Sequence, residues 1–480
     1  MVADRRTVEV AVTEETPEMS SSAASSPESR PHRPPSEQRG RFRGRWRRSR
    51  NRDGESPESP PETLDVAGLW NLSDQQLEER ASGLGVPPPK RDQKAREELI
   101  HGMLKVHAEK HGLKLMNGIL DLSRGGFGFL RSPEANYQPR SDDAYVTPQL
   151  IRQYGLQTGD LVTGMARTPR SRERYHTLLN VDLIWKELPE KFRQRKSYED
   201  LTPLYPQERL VLETGPESIS MRALDLLAPL GRGQRCLLVA PPRAGKTIIL
   251  QQLAESIGKN YPEMNLLVML LDERPEEVYN FCKIAKGEII SSTFDETIER
   301  HVRVADLVME KAHRMVENQQ HVIVLLDSLT RLARACNHLS SSKGKLMSGG
   351  IEAGALIKPR KLFSAARNVE EGGSLTIVAT VLVETGNRMD DLIFEEFKGT
   401  GNMEVHLSRD LQERRIYPAI HIEKSGTRRE DLLYHPDELV RIHALRRQLS
   451  EHPSLEAMEK LIEQLRATKS NAELLMCLKL

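Results

Sequence analysis

Aromatic residues are scarce in this sequence, at 5% of 480 residues, so a cluster of them inside a polar segment carries weight. Cysteine is scarcer still. Cys236, Cys282, Cys336 and Cys477 lie far apart with no C-x-x-C pairing, which excludes a disulfide frame and a zinc ribbon. They read as small buried hydrophobes in a reducing compartment. No apolar run approaches the ~18 residues of a membrane span, and the start lacks the apolar core of a signal peptide. The expectation is a cytoplasmic chain with no membrane association. Net charge is short as well, +1 although 29% of residues are charged. Any affinity for nucleic acid must therefore come from local patches.

What is present changes character along the chain, and the length has room for several domains. Residues 1–63 are rich in Ser, Pro, Glu and Arg and cannot bury enough apolar surface to offset their ordering entropy, so a disordered extension is expected. Within it RGRFRGRWRRSRNR (Arg39–Arg52) holds eight arginines, no acid, and Phe42 and Trp46. That run is either a solubilising tail or an arm that puts arginines on phosphates and rings on bases, and the aromatics favour the arm. Residues 64–112 turn helical: Ser73 with Gln76 reads as a capping box, Leu72 with Leu77 as a hydrophobic staple. Leu99, Ile100, Met103, Leu104 and Val106 recur at helix spacing. A small helical bundle follows. Residues 113–184 show short strands with turns at Gly125–Gly126 and Gly159–Asp160, which suits a five-strand barrel of the OB or cold-shock kind. Residues 185–221 read as a charged, Pro-rich connector. From 222 to 480 apolar strands alternate with amphipathic helices, as in an α/β domain with a largely parallel sheet, and the chain ends in charged helices.

The chemistry is concentrated in that last domain. The apolar run Cys236–Ala240 precedes Pro241, Pro242, Arg243, Ala244, Gly245, Lys246 and Thr247, and Ile248 opens a helical stretch. Strand, tight loop and helix N-terminus aim backbone N–H groups at a phosphate, with Ala240 in place of the usual first glycine. Lys246 is expected on the β- and γ-phosphates of ATP and the Thr247 hydroxyl on Mg²⁺. Two more apolar runs end in acids. Val322–Leu326 leads to Asp327, a second Mg²⁺-holding position, and Leu266–Leu271 leads to Asp272, Glu273 and Arg274. Glu273 is placed to polarise an attacking water. Strands often stop at polar turns, so each acid means little alone; beside a phosphate loop the pair points to hydrolysis.

Longer blocks identify a family. DERPEEVYNF (Asp272–Phe281), STFDET (Ser292–Thr297), DSLTRLARACN (Asp327–Asn337), GGSLTIVAT (Gly372–Thr380), EEFKGTGNMEVHLSR (Glu395–Arg409) and SGTRREDLL (Ser425–Leu433) together resemble the Rho family of bacterial transcription termination factors. The likeness runs from about residue 64 to the end. It implies a multidomain chain: a small N-terminal helical bundle, an OB/cold-shock-like β-barrel and a RecA-like α/β P-loop ATPase. It further implies a homohexameric ring that loads on C-rich single-stranded RNA, moves 5′ to 3′ on ATP and Mg²⁺, and dislodges RNA polymerase. By the same likeness Glu273 is the catalytic base. Arg428 is an arginine finger given to the neighbouring subunit, and Arg415 approaches the γ-phosphate. Tyr417 stacks on adenine, and Arg274 joins the phosphate loop in binding nucleotide. Arg243 stands where Lys is common, which keeps the charge but alters its reach.

The barrel would carry a primary RNA site. In Gly126–Arg131 (GFGFLR) alternation puts Phe127, Phe129 and Arg131 on one face of a strand, and the resemblance adds Asp143, Tyr145, Glu173, Arg174 and Tyr175. A carboxylate can accept from the cytosine amino group, hence the preference for C. The competing reading makes Phe127 and Phe129 ordinary barrel core. Two pore loops are implied as a secondary RNA site: Ser340–Gly350 with Lys345, and Thr385, Gly386, Asn387 and Arg388, where Arg388 replaces a more usual Lys. A rotary ATP synthase subunit shares the ATPase engine but has no use for a GFGF face. An RNA chaperone with a decayed ATPase is opposed by the intact Lys246, Glu273, Asp327 and Arg428.

Overall fold

The computed structural model describes residues 64–87, 95–171, 173–340, 348–352 and 354–478. The Arg-rich run and Lys345 lie outside them.

The helical bundle forms where the caps place it. Helices α1 (Val66–Trp70), α2 (Asp74–Gly83) and α3 (Ala95–Lys110) follow one another. At the start of α2 the Ser73 hydroxyl accepts from the Gln76 N–H, and the Gln76 side chain accepts from the Ser73 N–H at 3.1 Å, which satisfies two orphan donors at once. Leu77, Leu99, Ile100, Met103 and Leu104 are buried together, with Leu72 and Val106 at the margin.

The barrel is closed by five strands. These are β1 (Lys114–Leu122), β2 (Gly128–Arg131), β3 (Ala144–Val146), β4 (Leu161–Arg167) and β5 (His176–Leu178), with α4 (Pro148–Tyr154) between β3 and β4. The order β1–β2–β3–β5–β4 returns to β1, which pairs antiparallel with β4 from Lys114↔Ala166 to Ile119↔Leu161. Closure removes the open edges that a small sheet would otherwise expose. Leu120, Leu130, Ala144, Val146, Val162, Ala166 and Leu178 fill the interior.

Residues 185–218 tie the barrel to the domain that follows. Tyr198 is buried, stacks on His313 with ring centroids 4.2 Å apart, and donates to the Ala365 carbonyl at 2.6 Å. Helix α5 (Ile219–Leu227) then opens the α/β domain.

Six strands of that domain are mutually parallel: β6 (Arg235–Ala240), β7 (Asn265–Glu273), β8 (Glu288–Thr293), β9 (His321–Asp327), β10 (Ser374–Leu382) and β11 (Met403–His406). Their order is β8–β7–β9–β10–β6–β11. Helices α6 (Lys246–Asn260), α7 (Pro275–Ile284), α8 (Ile298–Glu317), α9 (Leu329–Ser340), α10 (Ile357–Ser364) and α11 (Arg388–Lys398) connect them. A strand buried on both faces reads as a continuous apolar run. In β6, Leu238 faces one core with Leu250 and Ile257, while Leu237 and Val239 face the other with Leu326 and Val381. Helices α12 (Pro436–Ser450), α13 (Ser454–Arg466) and α14 (Asn471–Cys477) complete the first core through Ile442, Leu445, Met458, Leu461 and Leu475. The fully buried Arg222 of α5 ties them down, donating to the carbonyls of Leu465 at 2.7 Å and Thr468 at 2.9 Å; a buried charge needs such partners.

The cysteines divide. Cys236 and Cys336 are buried as expected, but Cys282 and Cys477 are exposed. Cys282 lies near the end of α7, a helix that turns Val278 and the buried Phe281 to the core, and Cys477 ends α14. Both sit on the solvent side of an amphipathic helix. Among the described residues no helix is long and apolar enough to cross a membrane.

Candidate nucleotide and RNA sites

The phosphate loop lies at the carboxyl end of β6, where open parallel sheets place their ligands. Gly245 takes φ +91° as the residue before α6, a left-handed backbone that glycine adopts at no steric cost. Arg243 takes φ +67° as well, a conformation that costs a non-glycine residue on the order of 1–2 kcal/mol. Ala244 is buried, while Pro242, Arg243 and Ile248 are exposed around the cradle.

Lys246 finds both predicted carboxylates. Its ammonium lies 2.6 Å from Asp327 Oδ1 and 3.5 Å from Glu273 Oε2. Those acids end β9 and β7, which are neighbours in register at Leu270↔Asp327. Asp327 and Glu273 are 1% and 3% exposed, and Asp327 Oδ2 and Glu273 Oε2 have no hydrogen-bond donor. Burial, reinforced by the Asp327 charge, pushes the Glu273 carboxyl above its ordinary value against the opposing pull of Lys246 and Arg331. The Thr247 hydroxyl donates to Glu277 at 3.1 Å.

Sequence reasoning missed four members of this cluster. Arg331 bridges Asp272 at 3.3 Å and Glu273 at 3.5 Å, Thr380 donates to Asp327 Oδ1 at 2.8 Å, and Glu277 holds the Thr247 hydroxyl. Arg331 lies one helical turn beyond Asp327, the only signal it gave. Asp272 was seen as part of a strand end and given no role.

The other nucleotide residues divide between the two edges of the sheet. The Leu407 N–H donates to the Val239 carbonyl at 2.8 Å, and the Ser408 N–H to Ala419, so the segment with exposed Arg415 and Tyr417 returns beside the phosphate-loop end of β6. Arg274, exposed, precedes α7 at the same edge. Arg428 does not join them. Its N–H donates to the Asn402 carbonyl, and it lines a cleft of about 830 Å³ with Arg235, Arg367, Arg429 and Tyr205. Arg235 begins β6 and Ala240 ends it. At about 3.3 Å per residue, Arg428 is therefore roughly 17 Å from the cradle of its own chain.

On the barrel, Phe127, Phe129, Tyr145 and Tyr175 make one half-exposed aromatic cluster. Ring centroids are 5.9 Å apart for Phe127–Phe129, 5.6 Å for Phe127–Tyr145 and 4.9 Å for Phe129–Tyr175. None belongs to the barrel core, which β2 supplies through Leu130. The core reading of these rings is thereby excluded. Arg131 and Asp143 are each 4% exposed and paired to one another. Arg131 shares the ring face by alternation yet is sealed beneath it, 4.9 Å from the Phe129 centroid. Glu173 is exposed and its carboxyl is held down to about 2 by its hydrogen bond to Arg167 and the Arg170 N–H. Arg174 lies 5.7 Å from the Tyr175 ring centroid.

Of the pore loops, the second is described. Thr385 donates to the buried Asp390 at 2.6 Å, Gly386 takes φ +78°, and Asn387 caps α11, whose first residue is the exposed Arg388. Asp390 also accepts from Arg334 of α9 at 2.8 Å, so the helix that precedes the first pore loop is bound to the second.

A nucleotide cradle and an aromatic barrel face in one chain are also what the comparisons find. The ATP synthase alpha/beta family, nucleotide-binding domain, matches residues 220–427, and the Rho termination factor, RNA-binding domain, matches residues 116–190. The Transcription termination factor Rho of Aquifex aeolicus is 53% identical over 79% of this chain and 88% of its own length. That of Cereibacter sphaeroides is 52% identical over 78% and 90%. The chain belongs to the Rho family of transcription termination factors. It is thus an ATP-dependent, RNA-binding termination factor. Its Rho-type ATPase fold extends further: a solved ATPase from the type III secretion system of pathogenic bacteria has a TM-score of 0.50 at 21% identity, covering 58% of this chain and 85% of that one.

Proposed function

We propose that this Rho-family chain works as a ring, a homohexamer in which each ATP lies between the Lys246 edge of one protomer and the Arg428 edge of the next. The position of Arg428 carries the reading. A lone protomer cannot bring it to its own phosphates across the sheet, whereas a head-to-tail neighbour can. Here the domains run 64–112, 113–184 and 222–480, joined by 185–221, and the chain acts in the cytoplasm where transcripts are made.

The residues divide the work. An arriving triphosphate draws the Lys246 ammonium off Asp327 and Glu273, while the backbone of Pro242–Thr247 cradles its phosphates. The cluster suits Mg²⁺: Thr247 and Asp327 offer hard oxygen ligands, and Asp327 Oδ2 awaits a partner. Among the described residues no group of three or more His, Cys, Asp or Glu is poised for a metal; phosphate and water commonly complete a Mg²⁺ shell. When bound, the ion supplies neutralisation of phosphate charge. Glu273 takes the proton of the attacking water, aided by a raised proton affinity, and Arg331 fixes its position. Arg428 and Arg415 stabilise charge on the transferring phosphoryl group, and Tyr417 stacks on adenine.

RNA enters by the barrel. Bases stack on Phe127, Phe129, Tyr145 and Tyr175, while Glu173 and Arg174 address base edges and backbone from the surface; the buried Arg131–Asp143 pair backs the ring face and meets a base edge only when the pair parts, which favours C-rich single strands. Thr385, Gly386 and Arg388, with Lys345, then grip the strand in the central hole. Cycles of hydrolysis pull it 5′ to 3′ and release the transcript from RNA polymerase. The test is ATPase activity with and without poly(C), with the mass of the particle measured alongside. Turnover that needs RNA and a hexameric mass is expected; a monomer hydrolysing at full speed overturns the ring.

A further inference from the structure

The barrel sits along one helix of the ATPase domain. Near the amino end of α8, Arg303 holds Asp121 of β1. In its middle, Gly159 lies against the backbone of Glu310, where a Cβ would come within 2.4 Å of the carbonyl carbon, and Lys311 joins Tyr137 to Glu288. At its end, Glu317 accepts from the Tyr198 N–H at 2.6 Å. The last three contacts dock one body on another. The first does more, because of what else Asp121 holds.

Asp121 Oδ2 accepts from two guanidinium groups, Arg303 and Arg131, the latter at 3.1 Å. Arg131 reaches on to Asp143 and lies under the Phe129 ring. Two cations therefore share one oxygen, and one of them belongs to the base-stacking face. A cytosine on that face donates its amino group to Asp143 and competes with Arg131 for the carboxylate. Arg131 then redistributes its hydrogen bonds between the base and Asp121, and the hold of Arg303 on Asp121 changes with it. Solvent screens the Arg131–Asp121 pair little, since their side chains are 5% and 15% exposed, while Arg303 reaches the same oxygen from the surface with 52% of its side chain exposed.

The opposite face of α8 leads to the catalytic carboxylate. Val302 and Ala305 pack with Leu271 and Leu326. His301 is hydrogen-bonded to Ser292 at 2.7 Å. Ser292 and Thr293 of β8 pair with Leu271 and Glu273 of β7, and the Phe294 N–H donates to the Glu273 carbonyl. One helical turn and one strand end separate Arg303 from the backbone of Glu273.

We propose that Asp121 and Arg303 are positioning residues that couple a base held on the barrel to the nucleotide site, through α8. The proposal rests on the RNA-platform reading above. Coupling is reciprocal: if a base alters the nucleotide site, nucleotide alters base affinity by the same factor.

The test uses the full chain and a fluorescent oligocytidine just long enough for the barrel, with its Kd measured with and without a non-hydrolysable ATP analogue and Mg²⁺. The parent should show a ratio of about fivefold or more between the two constants. Arg303→Gln should bring the ratio to within about twofold of unity while its nucleotide-free Kd stays near the parental one. Arg303→Lys, which keeps the charge, should restore most of the ratio, and a purely structural role would not separate Lys from Gln in this way. A parental ratio of unity, or an undiminished ratio in Arg303→Gln, overturns the coupling and leaves the platform standing. Affinity indifferent to loss of the Phe127 and Phe129 rings overturns the platform, and the coupling with it.

Discussion

As the proposed base Glu273 must be ionised to accept a proton, yet burial and the Asp327 charge favour its protonated form. A carboxyl whose folded pKa lies above its unfolded one binds protons more tightly in the native state, so it costs stability as pH rises from the unfolded value through the folded one. In the nucleotide-free protein that cost grows as pH rises above the unfolded value. Glu273→Gln should therefore raise Tm at neutral pH, and the gain should fade as the buffer approaches the ordinary glutamate value of about 4.3. The same change should lower RNA-stimulated turnover roughly 10²- to 10⁴-fold. Calorimetry across pH beside an ATPase assay reads both; a Tm that falls at neutral pH would show the ionised carboxylate to be a net structural asset. Tyr417 gives a second case. Its ring is 43% exposed beside the cradle, so Tyr417→Phe should keep the KM for ATP, whereas Tyr417→Ala should raise it by about 5- to 150-fold, the worth of one stacked base. Lys246, Glu273 and Asp327 were legible because strand, loop and helix follow one another in a fixed grammar. Arg331 was not, since nothing local to DSLTRLARACN says which arginine of the helix faces a carboxylate.

At the scale of elements, β2 shows how far alternation carries. Period two places Phe129 and Arg131 on one face and Leu130 in the core, as found. It cannot show that Arg131 is sealed under the ring, because that depends on Asp121 and Asp143 arriving from other strands. Since the rings lie outside the core, Phe127→Ala with Phe129→Ala should leave the barrel folded by circular dichroism while weakening poly(C) binding by about 5- to 150-fold for each base lost. Unchanged affinity would remove the platform. The docking of barrel on α8 was illegible for a related reason: Lys311 and Tyr137 are 174 positions apart, and no periodicity spans that gap. Gly159 was visible only as a turn, though its φ of +92° and its approach to Glu310 make it the tightest point of the seam. Gly159→Ala forces the seam apart. The variant should melt earlier and bind poly(C) nearly as the parent does, but lose RNA-stimulated turnover; a variant with parental Tm would mean the seam yields without cost.

At the scale of the whole molecule, alternating strands and helices announced a parallel sheet, but the order β8–β7–β9–β10–β6–β11 is set by packing across the whole domain. The shared direction of the strands puts Lys246 beyond the carboxyl end of β6, and the cleft lined by Arg235 holds Arg428 at the amino end. In the proposed ring, a seam between protomers is complete only if one side contributes Lys246 and the other Arg428. Rings of Lys246→Ala alone lack the first at every seam, and rings of Arg428→Ala alone lack the second, so each should be assembled and inactive. In an equal mixture, a seam works when an Arg428→Ala protomer supplies its intact Lys246 and a Lys246→Ala neighbour supplies its intact Arg428. With random head-to-tail assembly that is about a quarter of seams. Poly(C)-stimulated turnover should accordingly rise from near zero at either end of a mixing series to a maximum at equal proportions, close to a quarter of the parental rate if seams act independently and lower if they must fire in sequence. Mass measurement of differently tagged subunits establishes that mixed rings have formed. If they have and turnover stays flat at every proportion, seams that share Lys246 and Arg428 and act independently are ruled out.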